Sequence, residues 1–330
     1  MIVSISPVYQ ASSESLSLKN FSMGTGQRVF SETKKPPVFE KEERLPIMTT
    51  APFLWGGSLF LWRQAMHRSS RESIFMLLMG SFLVIYILWP LAGLFIRADW
   101  SLVVSSAKDS EVTGAIWRSI WTAAAATGVI AFFGTPLAYF LARKNFRGKA
   151  FLEAIIDIPI MIPHTVAGIA VLMAFSPKAP LGSLLVKMGL SPVNSHLGII
   201  LACTFVSIPF YVDAVRDGFY GVSPRIEKAA RTLGASFPQV FFRISLPLAR
   251  KGIVSGLIMS WARGVSEFGA VVIMAYHPMV APTLIYDRFA TFGLKYSTPI
   301  AVQLIIVCLG MFIVLRLVSA GKRREDINND

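Results

Sequence analysis

Arg263 and Glu267 stand four residues apart inside an apolar run that continues on both sides of them, as WARGVSEFG at residues 261–269. That spacing puts both on one face of a helix, near enough to pair. An ion at the centre of a membrane span costs at least about 2.5–3.5 kcal/mol on insertion scales, so both charges must face the inside of a bundle or a water-filled path. Two chemistries follow. Arg263, Ser266 and the small residues nearby could stand beside a route for an anion. Alternatively the pair locks helix register, because Glu267 cancels much of the field that Arg263 offers. A second polar stretch, Pro163, His164 and Thr165, lies in a run that also carries Glu153, Asp157 and Pro159. It reads as a pathway-lining helix, or as a kinked core helix whose His164 is bonded to a neighbour. The four histidines have no ligand-like spacing, and Cys203 and Cys308 fall inside apolar runs as packing residues. No metal and no cofactor are predicted.

The longest polar interruption is residues 223–251, SPRIEKAARTLGASFPQVFFRISLPLARK. It predicts two short helices joined at a glycine. Ser223 is an N-cap residue with Pro224 preset for the first turn, and Gly234 supplies the left-handed conformation that closes the first helix. Ser236 with Gln239 three residues on forms a capping box for the second. Ala229 and Ala230 put little bulk on the first helix, so its backbone can sit deep in a groove on another protein. The same pattern also suits an ordinary amphipathic hairpin between two spans.

The elements that must position these residues are membrane helices. With 330 residues, 54% hydrophobic, 15% charged and a mean hydropathy of +0.57, the composition is that of an all-α polytopic membrane protein and not of a soluble domain. Apolar runs of spanning length fall at residues 74–96, 119–142, 154–175, 198–215, 252–275 and 299–320, which predicts about six transmembrane helices. The formal charge of +13 is distributed by loop. Arg143, Lys144, Arg147 and Lys149 follow the second run, a cluster of cations fills residues 223–251, and Lys322, Arg323 and Arg324 follow the sixth. The positive-inside rule therefore places both termini and the polar hairpin in the cytoplasm of a multi-pass cell-membrane protein, and the charge reports topology and not nucleic-acid binding. Residues 1–65 read as a disordered N-terminal extension ahead of a membrane domain at 66–330, with Met66 a credible alternative start.

The pattern Ala229-Ala230-x-x-Leu233-Gly234-Ala235-Ser236, followed by Ile244-x-Leu246-Pro247, resembles the EAA loop of permease subunits of ABC importers. In that family a glutamate falls six residues before the glycine; here that position is Lys228, and Glu227 sits one earlier. The resemblance implies the type I importer permease fold, with Glu227, Lys228, Ala229, Ala230, Leu233, Gly234, Ala235 and Pro247 in the loop that couples to an ATPase. It implies as partners that ATPase subunit, an extracytoplasmic oxyanion-binding protein and a second permease copy around a central path. The chain holds no GxxxxGK[ST] phosphate loop, so the motor is expected on another polypeptide and this one is expected not to be an enzyme. Residues 261–268, the following GAVVIMAYHPMVAPTLIYDRF and GLKY resemble molybdate/tungstate permeases; sulfate permeases share Glu267 to Ala270. Arg263, Ser266, Glu267, Pro163 and Thr165 are the residues expected along the translocation path. The other class of reading is an ion-coupled carrier working alone, with Arg263, Glu267 and Asp157 as coupling groups.

Overall fold

The computed structural model describes residues 55–328, and the side chains of residues 73–314. The chain divides into two compact units, Met1–Arg71 and Glu72–Asp330. Of the first, residues 55–71 are described, as helix; residues 1–54, the greater part of the expected extension, lie outside the described residues.

All regular structure among the described residues is helical. Helix α1 (Trp55–Arg97) and the short α2 (Trp100–Ser106) precede the long α3 (Ser110–Arg143). Next come α4 (Lys149–Met161), α5 (His164–Phe175), α6 (Pro180–Lys187) and α7 (His196–Tyr220). The polar hairpin holds α8 (Pro224–Thr232), α9 (Phe237–Val240), a π turn at Phe241–Ser245 and α10 (Leu246–Leu248). The chain ends in α11 (Arg250–Val265), α12 (Gly269–Met274), α13 (Ala281–Phe292) and α14 (Leu294–Asn328).

Four of these are long and apolar enough to cross a membrane: Ser73–Arg97 within α1, α3, α7 and Leu294–Val314 within α14. The expected third span is instead the α4–α5 pair, bent by 113°. Pro163 has no N–H to donate and forces Ile162 before it into extended backbone, at φ −84° and ψ 145°. The expected fifth span is interrupted too. α11 stops at Val265 after 16 residues and α12 adds 6 more beyond a turn, so neither piece crosses alone. Against about six expected spans, the described residues hold four helices of spanning length, or up to five spans with the bent pair counted as one.

The core is built on close approach. α11 carries a small residue at every fourth position, Gly252, Gly256, Ser260 and Gly264, which lines one face. A Cβ at Gly252 would stand 2.5 Å from the Gly218 Cα, one at Gly256 3.1 Å from the Tyr211 carbonyl oxygen, and one at Gly264 3.0 Å from the Ala123 Cβ. α11 therefore lies nearly backbone to backbone on α7 and α3, the packing that helices use where lipid supplies no hydrophobic drive to associate. Ser260 faces the Thr127 hydroxyl at 3.4 Å within this contact. The two breaks also meet: a Cβ at Gly168 would stand 2.8 Å from the Ala270 Cα, and one at Gly269 2.7 Å from the His164 Cβ. By contrast, among the described residues the spanning part of α1 has no buried residue, and only its end, at Leu94 and Phe95, packs on a core cluster, which leaves most of its apolar surface to lipid or another chain.

These contacts separate two glycine substitutions. Gly252→Ala inserts a methyl against backbone and should cost about 1–3 kcal/mol by overpacking. Gly128→Ala has nothing within 4 Å of its new Cβ, and should be neutral or gain up to about 1 kcal/mol of helix propensity. Thermal unfolding of detergent-purified protein distinguishes them, and equal melting temperatures would contradict the close crossing.

Candidate docking hairpin and intramembrane ion pair

The hairpin is closed by local chemistry. Ala235 N–H bonds to the Ala230 carbonyl at 3.0 Å and Gly234 N–H to the Arg231 carbonyl at 3.0 Å, with Gly234 at φ +92°. This is a Schellman ending, and it needs the left-handed backbone that glycine adopts without strain. Ser236 N–H then bonds to Gln239 Oε1 at 2.8 Å, half of the capping box that starts α9.

What ties the hairpin to the bundle is Glu227. Its carboxylate is buried and accepts Arg143 Nε at 2.9 and 3.0 Å, Arg143 Nη2 at 2.8 Å, the Ser245 hydroxyl at 2.7 Å and the Tyr139 hydroxyl at 3.2 Å. The same guanidinium donates to the carbonyls of Phe219 at 2.8 Å and Val222 at 3.0 Å, where α7 ends. One arginine at the last turn of α3 therefore holds α3, the end of α7 and α8 together. The π turn brings Ser245 to the same carboxylate, and Tyr139 packs edge-on against Phe219 and Phe241 beneath it. Burial alone would raise the Glu227 pKa; the hydrogen bonds from Arg143 and Ser245 and the Arg143 charge outweigh it and hold the group below the ordinary carboxylate value.

The helix turns its other residues outward. Lys228 and Ala229 are exposed, Ala230 and Ala235 are half-buried, Pro247 is exposed, and Leu233 at the tip is 89% exposed. Of the two neighbouring residues, Glu227 makes the contact within the chain and Lys228 is exposed. A groove of about 510 Å³ runs between the end of α3 and the hairpin, with Phe140, Phe237 and Phe241 in its lining beside Lys144, Lys228 and Arg231.

The second site lies where the two helix breaks meet. Arg263, on the last turn of α11, pairs with Glu267 in the following turn. Arg263 Nη2 also lies 3.1 and 3.2 Å from the two ring nitrogens of His164, the first residue of α5. Glu267 is 1% exposed, and its Oε1 accepts the Ala270 N–H at 2.7 Å, satisfying a donor at the start of α12. Ser266 is exposed and its hydroxyl donates to the Arg263 carbonyl at 3.0 Å; Pro163 and Thr165 are exposed at the start of α5. The arrangement gathers His164, Arg263 and Glu267 around one point, with the imidazole on its open side. Arg143, Tyr139 and Ser245 are the functional residues that sequence reasoning missed. Arg143 carried a signal, as the first of four cations that follow an apolar run, but it read as a marker of topology.

The described residues thus form a membrane helix bundle that clamps a polar hairpin at one end and leaves Lys228, Ala229 and Leu233 of that hairpin exposed. The family model for the binding-protein-dependent transport system inner membrane component matches residues 134–324, and the chain belongs to that family. The molybdate/tungstate transport system permease protein WtpB of Pyrococcus abyssi is 45% identical over 240 residues, which cover 72% of this chain and 92% of the relative. The protein of the same name from Thermococcus kodakarensis is 44% identical, over 74% and 94%. A probable sulfate transport system permease protein of Zygnema circumcarinatum matches at 29%, over 73% and 86%. Among solved structures, a bacterial ABC transporter that imports the acidic polysaccharide alginate superposes with a TM-score of 0.57 at 18% identity, covering 79% of this chain and 98% of that one. It shares the fold.

Glu227→Gln keeps the shape of the clamp but leaves the Arg143 guanidinium buried without its counter-charge, at a cost of about 3–5 kcal/mol. Amide exchange in α8 should accelerate in that variant. In the parent, because the Glu227 pKa is lowered in the folded state, the stabilisation is complete above the ordinary carboxylate value of about 4.3 and is lost as pH falls through the lower, folded-state value. Exchange protection of α8 should be level from neutral pH down to about 5 and should collapse only in stronger acid. Protection already falling at pH 6 to 7 would contradict the assignment.

Proposed function

We propose that this chain is the path-forming subunit of an importer for molybdate and tungstate, worked by a separate ATPase that receives the hairpin. The observation that carries the reading is the hairpin itself: rigidly closed, clamped through Glu227 to α3 and α7, and offering Ala229, Leu233 and Gly234 outward. High identity to permeases named for molybdate and tungstate supports the substrate over sulfate, for which the match is weaker.

The charge distribution supports a cytoplasmic hairpin with both termini on the same side. A second copy of the chain completes the path by two-fold symmetry, and an extracytoplasmic binding protein delivers the oxyanion. ATP binding moves the ATPases together, and the hairpin passes that motion to α3 and α7 as a shift between inward and outward states. Arg263, with Glu267 beside it, and Pro163, Thr165 and Ser266 stand along the route, where a partly neutralised cation can attract an anion without trapping it.

Proteoliposomes holding this chain, its ATPase and the binding protein should take up molybdate or tungstate only with ATP inside. Ala229→Trp, on an exposed face, should leave expression and melting temperature unchanged and abolish stimulation of ATP hydrolysis by loaded binding protein. Undiminished stimulation would refute the docking role, and uptake by the purified chain alone under an ion gradient would favour a secondary carrier.

A further inference from the structure

The clamp uses up the negative charge of the hairpin. Glu227 is the only acidic residue in residues 223–251, and it is buried against Arg143, Ser245 and Tyr139. Arg225, Lys228, Arg231 and Arg243 are all exposed on the hairpin, and Lys144 and Arg147 are exposed on the adjacent turn after α3. On the neighbouring α4 and α7, Glu153, Asp213 and Asp217 are engaged by Arg216 at 3.3, 3.1 and 3.8 Å, and Asp157 Oδ1 is buried beside Asp213. Among the described residues, nothing acidic therefore answers these cations.

We propose that the partner ATPase meets the hairpin with carboxylates: an acidic rim takes Lys144, Lys228 and Arg231, and an aliphatic socket takes Leu233. This rests on the docking role proposed above and adds the chemistry of the surface that receives it. Three observations favour a folded acidic protein surface over an anionic lipid surface. The cations Lys144, Lys228 and Arg231 line a concave groove of about 510 Å³ with a phenylalanine floor, a shape that admits side chains. Arg231 is held over the Phe237 ring at 5.5 Å, and α8 is closed by its Schellman ending, so the charges have a fixed geometry that a fluid lipid surface does not require. Leu233 is 89% exposed beside Gly234, whose surroundings are open to 4 Å, so the tip is a small apolar knob next to the cations. Like charges held close together repel until a complementary surface arrives, and such a surface sets both the pairing and its salt dependence.

The test is a binding titration of the ATPase subunit of the same importer onto this chain in phosphatidylcholine nanodiscs. Affinity should weaken about tenfold between about 50 and 300 mM KCl, and about tenfold or more in Lys228→Glu/Arg231→Glu, with Lys228→Arg close to the parent. Salt-insensitive binding together with parent affinity in the double variant would overturn the acidic partner surface. If Leu233→Asp still abolished binding in that case, the docking role would stand and only the charge complementarity would fall; if Leu233→Asp also bound at parent affinity, the docking role would fall with it. A double variant that loses affinity only in discs containing phosphatidylglycerol would assign the cations to the lipid surface and overturn the proposal as well.

Discussion

A carboxylate removed from water must be met by a cation and by enough donors for its lone pairs, and that requirement at Glu227 orders the whole polar end of this molecule. Arg143, Ser245 and Tyr139 supply the donors from α3 and from the π turn, and Arg143 also donates to the Phe219 carbonyl at the end of α7 and the Val222 carbonyl just beyond it. Once position 227 points inward, the rotation of about 100° per residue along a helix decides what faces outward. Lys228 and Ala229 turn away from the bundle, and the chain closes at Leu233 and Gly234 on the open side. The hairpin thus presents cations and small residues because its one anion is needed elsewhere.

The second ion pair answers a different constraint. Where α11 stops inside the apolar layer, backbone N–H groups of the restarting helix lack helical partners, and in lipid each unsatisfied group is expensive. Glu267 accepts one of them from Ala270, and Arg263 balances the carboxylate at i,i+4 spacing. The close crossings at Gly168 with Ala270 and Gly269 with His164 bring the two interrupted segments together around this group. The pair thus serves the break first. The anion route proposed above draws on the same geometry, in which the broken helix exposes Ser266 and the start of α5 beside a buried Glu267.

Much of this was legible in the chain because local signals carry it. The spanning runs follow from apolar length, the hairpin closure from Gly234, Ser236 and Gln239, and a kink in the third run from Pro163, though not its 113° size. The break after Val265 was not legible: no proline marks it, and Gly264, Glu267 and Gly269 also fit an unbroken span. Arg143 escaped for another reason. Its partner lies 84 residues away, and no local pattern distinguishes an arginine that marks topology from one that clamps a distant helix. Whether Glu227 or Lys228 turned inward likewise required knowing where the end of α3 lies, which is a property of the packed bundle.

The two polar sites are joined by one stiff element. From Arg250 to Arg263 α11 rises about 20 Å at 1.5 Å per residue, connecting the base of the hairpin to the intramembrane pair. Its face of Gly252, Gly256, Ser260 and Gly264 leaves no flexible side chains to absorb a displacement against α7 and α3. A push at the hairpin must therefore move α11 as a body, or slide it along a contact made mostly of backbone. Either motion acts on the turn at Ser266–Phe268, because that is where the rod ends, and the turn holds Glu267 against Arg263 and His164. The helix break stands at the far end of the small-residue face from the hairpin, so in the mechanism proposed above α11 is the element that would carry a movement from one site to the other.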